Sequence, residues 1–243
     1  MKILKPKFWS KVNLISLILF PFSLITLIIY FLKRIIIQGE NFKIPIVCVG
    51  NIYVGGTGKT PLSIYVFNLL KKNNYNPVLV RKYYRSQADE IDLTKSKIKK
   101  LITHKKRISA IIKAKRSKHD VIVMDDGLQD VSIKKKLNIV CFNSLDLAGN
   151  GFLLPAGPLR EPLLSLNRED IVVINGKRNI AFERKIKKQS KRIKVFYSNY
   201  EIESFKKLKK KKLLAFAGIG NPDSFFEILN RNKFIVDTKV SFP

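Results

Sequence analysis

The stretch that most constrains the fold is Ile44–Leu62, which reads IPIVCVGNIYVGGTGKTPL. It opens with a β-branched apolar run, Ile44–Gly50, that reads as a buried parallel strand. It closes into Thr60–Lys72, where Leu62, Tyr65, Val66, Leu69 and Leu70 recur at a helical period. Between them, glycines let backbone N–H groups turn towards one anion with no Cβ in the way. The start of the helix directs its positive end to the same point. Strand, glycine-rich loop and helix together are the context a P-loop requires. The pattern predicts a nucleotide cradle made of Tyr53, Val54, Gly55, Gly56, Thr57, Gly58, Lys59 and Thr60. Lys59 is expected to reach the β- and γ-phosphates of ATP, and Thr60 to ligand Mg²⁺. Tyr53 stands where the G-x-x-x-x-G-K-[ST] pattern has its first glycine. Val54 stands where partitioning-type ATPases carry a lysine, which argues against that branch.

The chain beyond the loop alternates between strand and helix patterns. Pro77–Arg81, Leu101–Thr103, Asp120–Asp125, Leu137–Asn143 and Asp170–Asn175 read as strands; Asp92–Lys100 and the basic, amphipathic Lys105–Lys118 read as helices. Alternation of this kind predicts an α/β fold, a P-loop NTPase-like parallel sheet with helices on both faces. The basic run Lys206–Lys212 marks a boundary, after which Leu213–Gly218 reads as a strand and Asp223–Leu229 as a helix opened by Asn221-Pro222. The expected organisation is an N-terminal anchor over 1–36, a P-loop kinase core over 37–212, and an incomplete second α/β unit over 213–243.

The strand at Asp120–Asp125 continues into VMDDGLQ. An apolar strand ending on Asp is the usual acidic partner of a P-loop, and parallel strands deliver their C-terminal ends to one edge. Asp125 is therefore expected to hold Mg²⁺, directly or through water. Asp126 is a second metal contact or an orienter of the acceptor.

Two features bear on partners. Val12–Leu32 is 21 residues without a charge, long enough at about 1.5 Å per residue to match a bilayer core of roughly 30 Å. Lysines flank one end and Lys33-Arg34 the other, and Pro21 is expected to kink the helix. The segment reads as a membrane anchor, spanning or half-inserted, with an amphipathic docking helix as the alternative; the ATP-using domain then faces the cytoplasm. The second feature is charge: 47 Lys+Arg against 18 Asp+Glu gives +29. Such an excess fits nucleic acid, an anionic bilayer or a phosphorylated substrate, or reflects compositional bias alone. No nucleic-acid module is recognisable, and the aromatics do not interleave with basic residues as a stacking platform would, so no nucleic-acid partner is expected. Cys48 and Cys141 lie in apolar runs and read as core residues, and His104 and His119 as solvated ones.

The apolar N-terminus, VGNIYVGGTGKTPL, VMDDGLQ, LLPAGPLREP at Leu153–Pro162 and AFAGIGNPDSFF at Ala215–Phe226 together resemble the tetraacyldisaccharide 4'-kinase family of lipid A synthesis. The resemblance implies transfer of the γ-phosphate of ATP, with Mg²⁺, to the 4'-hydroxyl of a lipid-linked disaccharide 1-phosphate at the cytoplasmic face of the inner membrane. An anionic membrane surface is then a partner. Matching motifs places Lys59 and Asp126 among the catalytic residues and Tyr83, Gln129, Arg160 and Glu161 at the substrate. Asp89 falls on the aspartate of acceptor activation. Several positions depart from the family: Arg-Gly-Tyr-Gly is Arg81-Lys82-Tyr83-Tyr84, Gly-Asp-Glu-Pro is Ala88-Asp89-Glu90-Ile91, and a histidine after the Asp-Asp motif is Asp130. The family's Asp-His-His follows a Phe-Pro pair, matched here by Phe242-Pro243. Alternative readings are a truncated nucleotide-binding remnant of the family and a membrane-tethered P-loop ATPase.

Overall fold

The computed structural model describes residues 5–201, 211–218 and 222–242; Lys2, most of the 206–212 basic run, Asn221 and Pro243, which figure in the sequence reading, lie outside them. A long helix, α1 (Leu14–Ile36), precedes the core and continues through Pro21. Its start is fixed by Asn13, whose side chain accepts from the Ser16 N–H while Ser16 bonds back to the Asn13 N–H, a reciprocal cap. The core strands are β1 (Ile46–Gly50), β2 (Pro77–Lys82), β3 (Leu101–His104), β4 (Val121–Asp125), β5 (Leu137–Asn143), β6 (Ile171–Asn175) and β7 (Lys194–Ser198). They form one parallel sheet in the order β3-β2-β4-β1-β5-β6-β7. The crossovers carry α2 (Lys59–Lys72), α3 (Ala88–Lys97), α4 (Arg107–Arg116) and α5 (Ile180–Gln189).

Both faces of the sheet are covered, so alternate residues of β1 enter different cores. Ile46 and Cys48 pack in one cluster with Ala110, Ile111 and Ala114 of α4. Val47 and Val49 pack in the other with Phe67 of α2. The two thiols are free and buried, and burial pushes each up to about 12, so both are inert core groups.

Four elements differ from the sequence reading, one of them an unexpected C-terminal strand, Ile235–Ser241. Helix α3 begins at Ala88 and not at Asp92, because Asp89 and Glu90 suit the positive end of a first helical turn. Helix α5 and strand β7 were not expected. The lysine-rich sequence of α5, IAFERKIKKQ, masks a thin apolar stripe anchored by Phe182 and Ile186, and β7, KVFYS, leaves Lys194 and Phe196 exposed. Near the C-terminus, β8 (Lys212–Ala217) and β9 (Ile235–Ser241) pair in parallel as a separate two-stranded sheet, with α6 (Pro222–Arg231) between them in sequence. This unit has its own small cluster around Phe226, Leu229 and Phe234.

Candidate active site

The C-terminal ends of β1, β2 and β4 converge on one edge, and each delivers part of the site. From β1 comes the glycine-rich loop. Gly55 and Gly58 have φ of +140° and +88°, values that favour glycine. Asn51 donates to the Thr57 hydroxyl at 3.0 Å, and the Cys141 thiol to the Thr57 carbonyl at 2.9 Å. The Val54 N–H is held by the Pro158 carbonyl at 2.8 Å. The loop is thus braced from β5 and from the PAGPLREP turn. Tyr53 is buried, its ring packs under Gly55, and its backbone bridges to Leu159. Helix α2 follows directly, with Lys59 in its first turn and Pro61 where a missing N–H costs nothing.

From β4 come Asp125 and Asp126. Register places Asp125 beside Val49 of β1. Its carboxylate is fully buried and accepts from the hydroxyls of Thr60 at 3.2 Å and Ser63 at 3.0 Å. Burial raises its pKa, while the Arg81 guanidinium, 3.4 Å away, and then Lys59 oppose the shift. A hydroxyl beside a carboxylate is a hard-oxygen pair suited to Mg²⁺. Among the described residues no three acidic or Cys/His side chains cluster, so Asp125 and Thr60 can supply only part of an octahedron. Phosphate oxygens and water complete such sites. These residues fit the ion.

Asp126 adopts φ of +56°, which swings its side chain off the strand line. Its Oδ1 lies 3.9 Å from Lys59 Nζ and 3.4 Å from Arg160 Nη1. Gln129 donates to the Asn51 carbonyl at 2.9 Å and to Glu161 Oε1 at 3.1 Å. Glu161 is buried, and its other oxygen accepts from Arg34 of α1 at 2.9 Å. Lys59, Thr60, Asp125, Asp126, Gln129, Arg160 and Glu161 therefore form one connected wall. A cavity of about 480 Å³ opens beside it, lined by Asp126, Gln129, Arg160, Arg107 and Tyr84, with Lys33 from the end of α1. Within the PAGPLREP turn, a side chain at Gly157 would collide with Asn150 and the Phe152 carbonyl.

Two expected residues stand apart from this wall. Asp89 is exposed in the first turn of α3 and, among the described residues, makes no hydrogen bond or ion pair. Its neighbour Glu90 instead pairs with Arg81. Tyr83 is exposed at the end of β2, held by its backbone N–H to the His104 carbonyl at 2.9 Å.

Four residues were not assigned roles by sequence. Arg81 is buried and links Asp125, Gln87 and Glu90. Arg107 donates to the Asp126 carbonyl and pairs with Asp130 at 3.3 Å, so Asp130 serves as a brace for α4. Asn175 and Tyr200, from the far side of the sheet, crowd Gly58. A charge closing the apolar run PVLVR and its place in the segment matched to Arg-Gly-Tyr-Gly were the local signs of Arg81; the other three become visible only when distant strands meet.

A family model described as Tetraacyldisaccharide-1-P 4'-kinase matches residues 15–243. The chain belongs to this kinase family. Among relatives named tetraacyldisaccharide 4'-kinase, that of Pelagibacter ubique is 41% identical over 250 residues, covering all of this chain and 78% of the relative. That of Rickettsia bellii is 34% identical over 261 residues, covering all of this chain and 79% of the relative. A crystal structure of LpxK from Aquifex aeolicus in complex with ATP superposes with a TM-score of 0.72 over 95% of this chain and 82% of that one. Its 22% identity makes the likeness one of fold.

Proposed function

We propose that this kinase moves the γ-phosphate of ATP to the 4'-hydroxyl of a tetraacyl glucosamine disaccharide 1-phosphate, and that it does so with the wall centred on Asp126. The observation that carries the reading is the position of that carboxylate between Lys59 on the nucleotide side and Arg160 on the cavity side. Cradle and acceptor cavity share one boundary, which is what an in-line transfer needs. Lys59 and the loop N–H groups hold the phosphates, and Thr60 and Asp125 would hold Mg²⁺, which when bound would supply charge neutralisation at the β- and γ-phosphates. Arg160 faces the charge that spreads over the transferring group. Asp89, a carboxylate without a hydrogen bond or ion pair among the described residues, orients the acceptor hydroxyl. Tyr83 and Gln129 flank the sugar.

The same reading puts α1 in the membrane interface, half-inserted. One stripe of the helix is bonded to the body: Ser23 donates to the Leu153 carbonyl at 2.8 Å, Thr26 to the Leu154 carbonyl at 2.7 Å, and Arg34 to Glu161. Phe20 packs on Phe152 with ring centres 5.2 Å apart. The opposite face exposes Leu14, Ile18, Phe22, Ile25, Ile29, Leu32 and Ile36. A helix fastened along its length cannot leave the body to span a bilayer, yet so large an apolar face requires lipid. The body then lies against the anionic cytoplasmic leaflet, and the cavity at the end of α1 receives the sugar while the acyl chains stay in the bilayer.

Transfer of label from γ-labelled ATP to the disaccharide 1-phosphate in detergent micelles tests the reading. Wild type is expected to label the 4'-position, and Lys59→Ala to lose transfer. Normal ATP binding without transfer by the wild type would overturn it.

A further inference from the structure

A second cavity, of about 320 Å³, lies next to the acceptor cavity, and Ile37 and Val131 line both. Its polar lining is Arg34, Lys135, Asn138, Arg168 and Glu169. Among the described residues, three of these carry buried polar atoms without a partner: Arg34 Nε, Asn138 Oδ1 and Glu169 Oε2. Glu169 is only 9% exposed. An unpaired buried polar group costs about 1–3 kcal/mol, so three around one cavity point to a missing ligand.

The polarity of the three groups says what that ligand is. Glu169 and Asn138 offer acceptors and need an N–H donor. Arg34 Nε is a free donor and needs an acceptor, and Arg168 adds a second guanidinium. Lys135 gives two of its three N–H groups to the carbonyls of Leu128, at 3.3 Å, and Asp130, and none of its hydrogen bonds reaches Glu169 or Asn138 among the described residues. A plain anion would satisfy the arginines and leave the two acceptors unpaired beside it. A cation alone would meet the guanidinium groups. The lining calls for a zwitterion with an N–H-bearing ammonium close to an anionic oxygen.

Location supplies the second argument. Arg34 sits in the last turn of α1, where the apolar face ends with Ile35 and Ile36, 77% and 72% exposed. The Tyr30 ring faces the guanidinium carbons of Arg34 at 4.9 Å and Arg168 at 5.5 Å. Tyrosine and arginine at the end of an apolar helix mark headgroup depth.

We propose that this cavity binds the headgroup of a phosphatidylethanolamine, its ammonium on Glu169 and Asn138 and its phosphodiester on Arg34 and Arg168. A quaternary ammonium has no N–H to donate, and a glycerol headgroup brings no cation to Glu169. Burial, and then Glu161, push the Glu169 carboxyl up to about 7; a bound ammonium favours its charged form. The inference rests on the interfacial placement of α1 and is independent of the phosphate-transfer step.

The test uses the full chain and vesicles of phosphatidylcholine alone, or with a minority of phosphatidylethanolamine or of phosphatidylglycerol. Phosphatidylethanolamine is expected to tighten binding about tenfold, the equivalent of one charge-assisted hydrogen bond. Glu169→Gln and the more exposed Arg168→Gln each remove that gain, while ATP binding reports that both variants are folded. Glu169→Gln keeps the gain from phosphatidylglycerol, which depends on general charge. Soluble glycerophosphoethanolamine competes for the gain and inorganic phosphate does not. Equal binding to phosphatidylcholine and phosphatidylethanolamine vesicles, an unchanged gain in Glu169→Gln, or competition by phosphate alone overturns the proposal. Absence of binding to every vesicle overturns the placement of α1 and this proposal with it.

Discussion

Gly58→Ala separates two reasons for a glycine at the head of the P-loop helix. The first is steric: a Cβ built there would lie 2.7 Å from Tyr200 Oη and 2.9 Å from Asn175 Nδ2. The second is conformational, because φ is +88° and ψ 21°. The steric part is small, since both atoms are the outer ends of side chains and Tyr200 is 43% exposed. The conformational part cannot be relieved without turning the loop N–H groups away from the phosphates. A left-handed backbone costs an L-residue about 1–2 kcal/mol. That cost is expected in full in the stability of the ATP-saturated protein, whether it is lost as native stability or as nucleotide affinity. It corresponds to a Tm lower by about 2–8 °C for a chain of this size, or to about 5–30-fold in ATP affinity if the loop relaxes. Chemical denaturation with and without saturating MgATP measures both parts. Tyr200→Ala and the double variant complete a cycle. If Tyr200→Ala restores Gly58→Ala to wild-type stability, the clash and not the backbone governs, and the reasoning fails. A neutral Gly58→Ala refutes both terms.

Other perturbations probe other links. Ser23→Ala strands the buried Ala156 N–H and leaves the Leu153 carbonyl with the Gly157 N–H alone, so a loss of about 1–3 kcal/mol is expected by denaturation in detergent. Glu169 has its folded pKa raised from 4.5 to about 7. The native state therefore holds that proton more tightly, and this group's contribution makes stability fall as pH rises from about 4.5 to about 7, by about 3 kcal/mol at most. Glu169→Gln should flatten that part of the pH–stability curve, and a curve unchanged in the variant contradicts the shift. Asp89→Asn is expected to lower kcat at least tenfold with ATP affinity unchanged. Glu90→Gln, which removes one of the carboxylate partners of Arg81, should weaken MgATP binding as well; equal kinetic profiles for the two variants would argue against distinct roles.

The strands β1, β2, β4, β5 and β6 were legible because a parallel sheet buried on both faces needs near-continuous apolar runs, and IVCVG or VIVMD cannot satisfy that pattern as anything exposed. Strand β7 was not, because its edge position leaves Lys194 and Phe196 in solvent and no periodic signal survives. The start of α3 was missed because Asp89 and Glu90 read as loop residues until their value at a helix N-terminus is weighed.

By itself the sequence determined the local chemistry of this kinase: the glycine-rich cradle, the Asp pair closing a strand, and an uncharged N-terminal segment. Each is encoded within about ten to twenty consecutive residues, where spacing and backbone freedom decide the outcome. Only the tertiary structure decided how the parts are coupled. Thr60 meets Asp125 across 65 positions, Gln129 meets Glu161 across 32, and Arg34 meets Glu161 across 127. Only the tertiary structure fastened a polar stripe of α1 to the body, which supports reading that apolar segment as interfacial. Such contacts depend on which strand ends share an edge and which helix face finds a partner, and no local window contains that information.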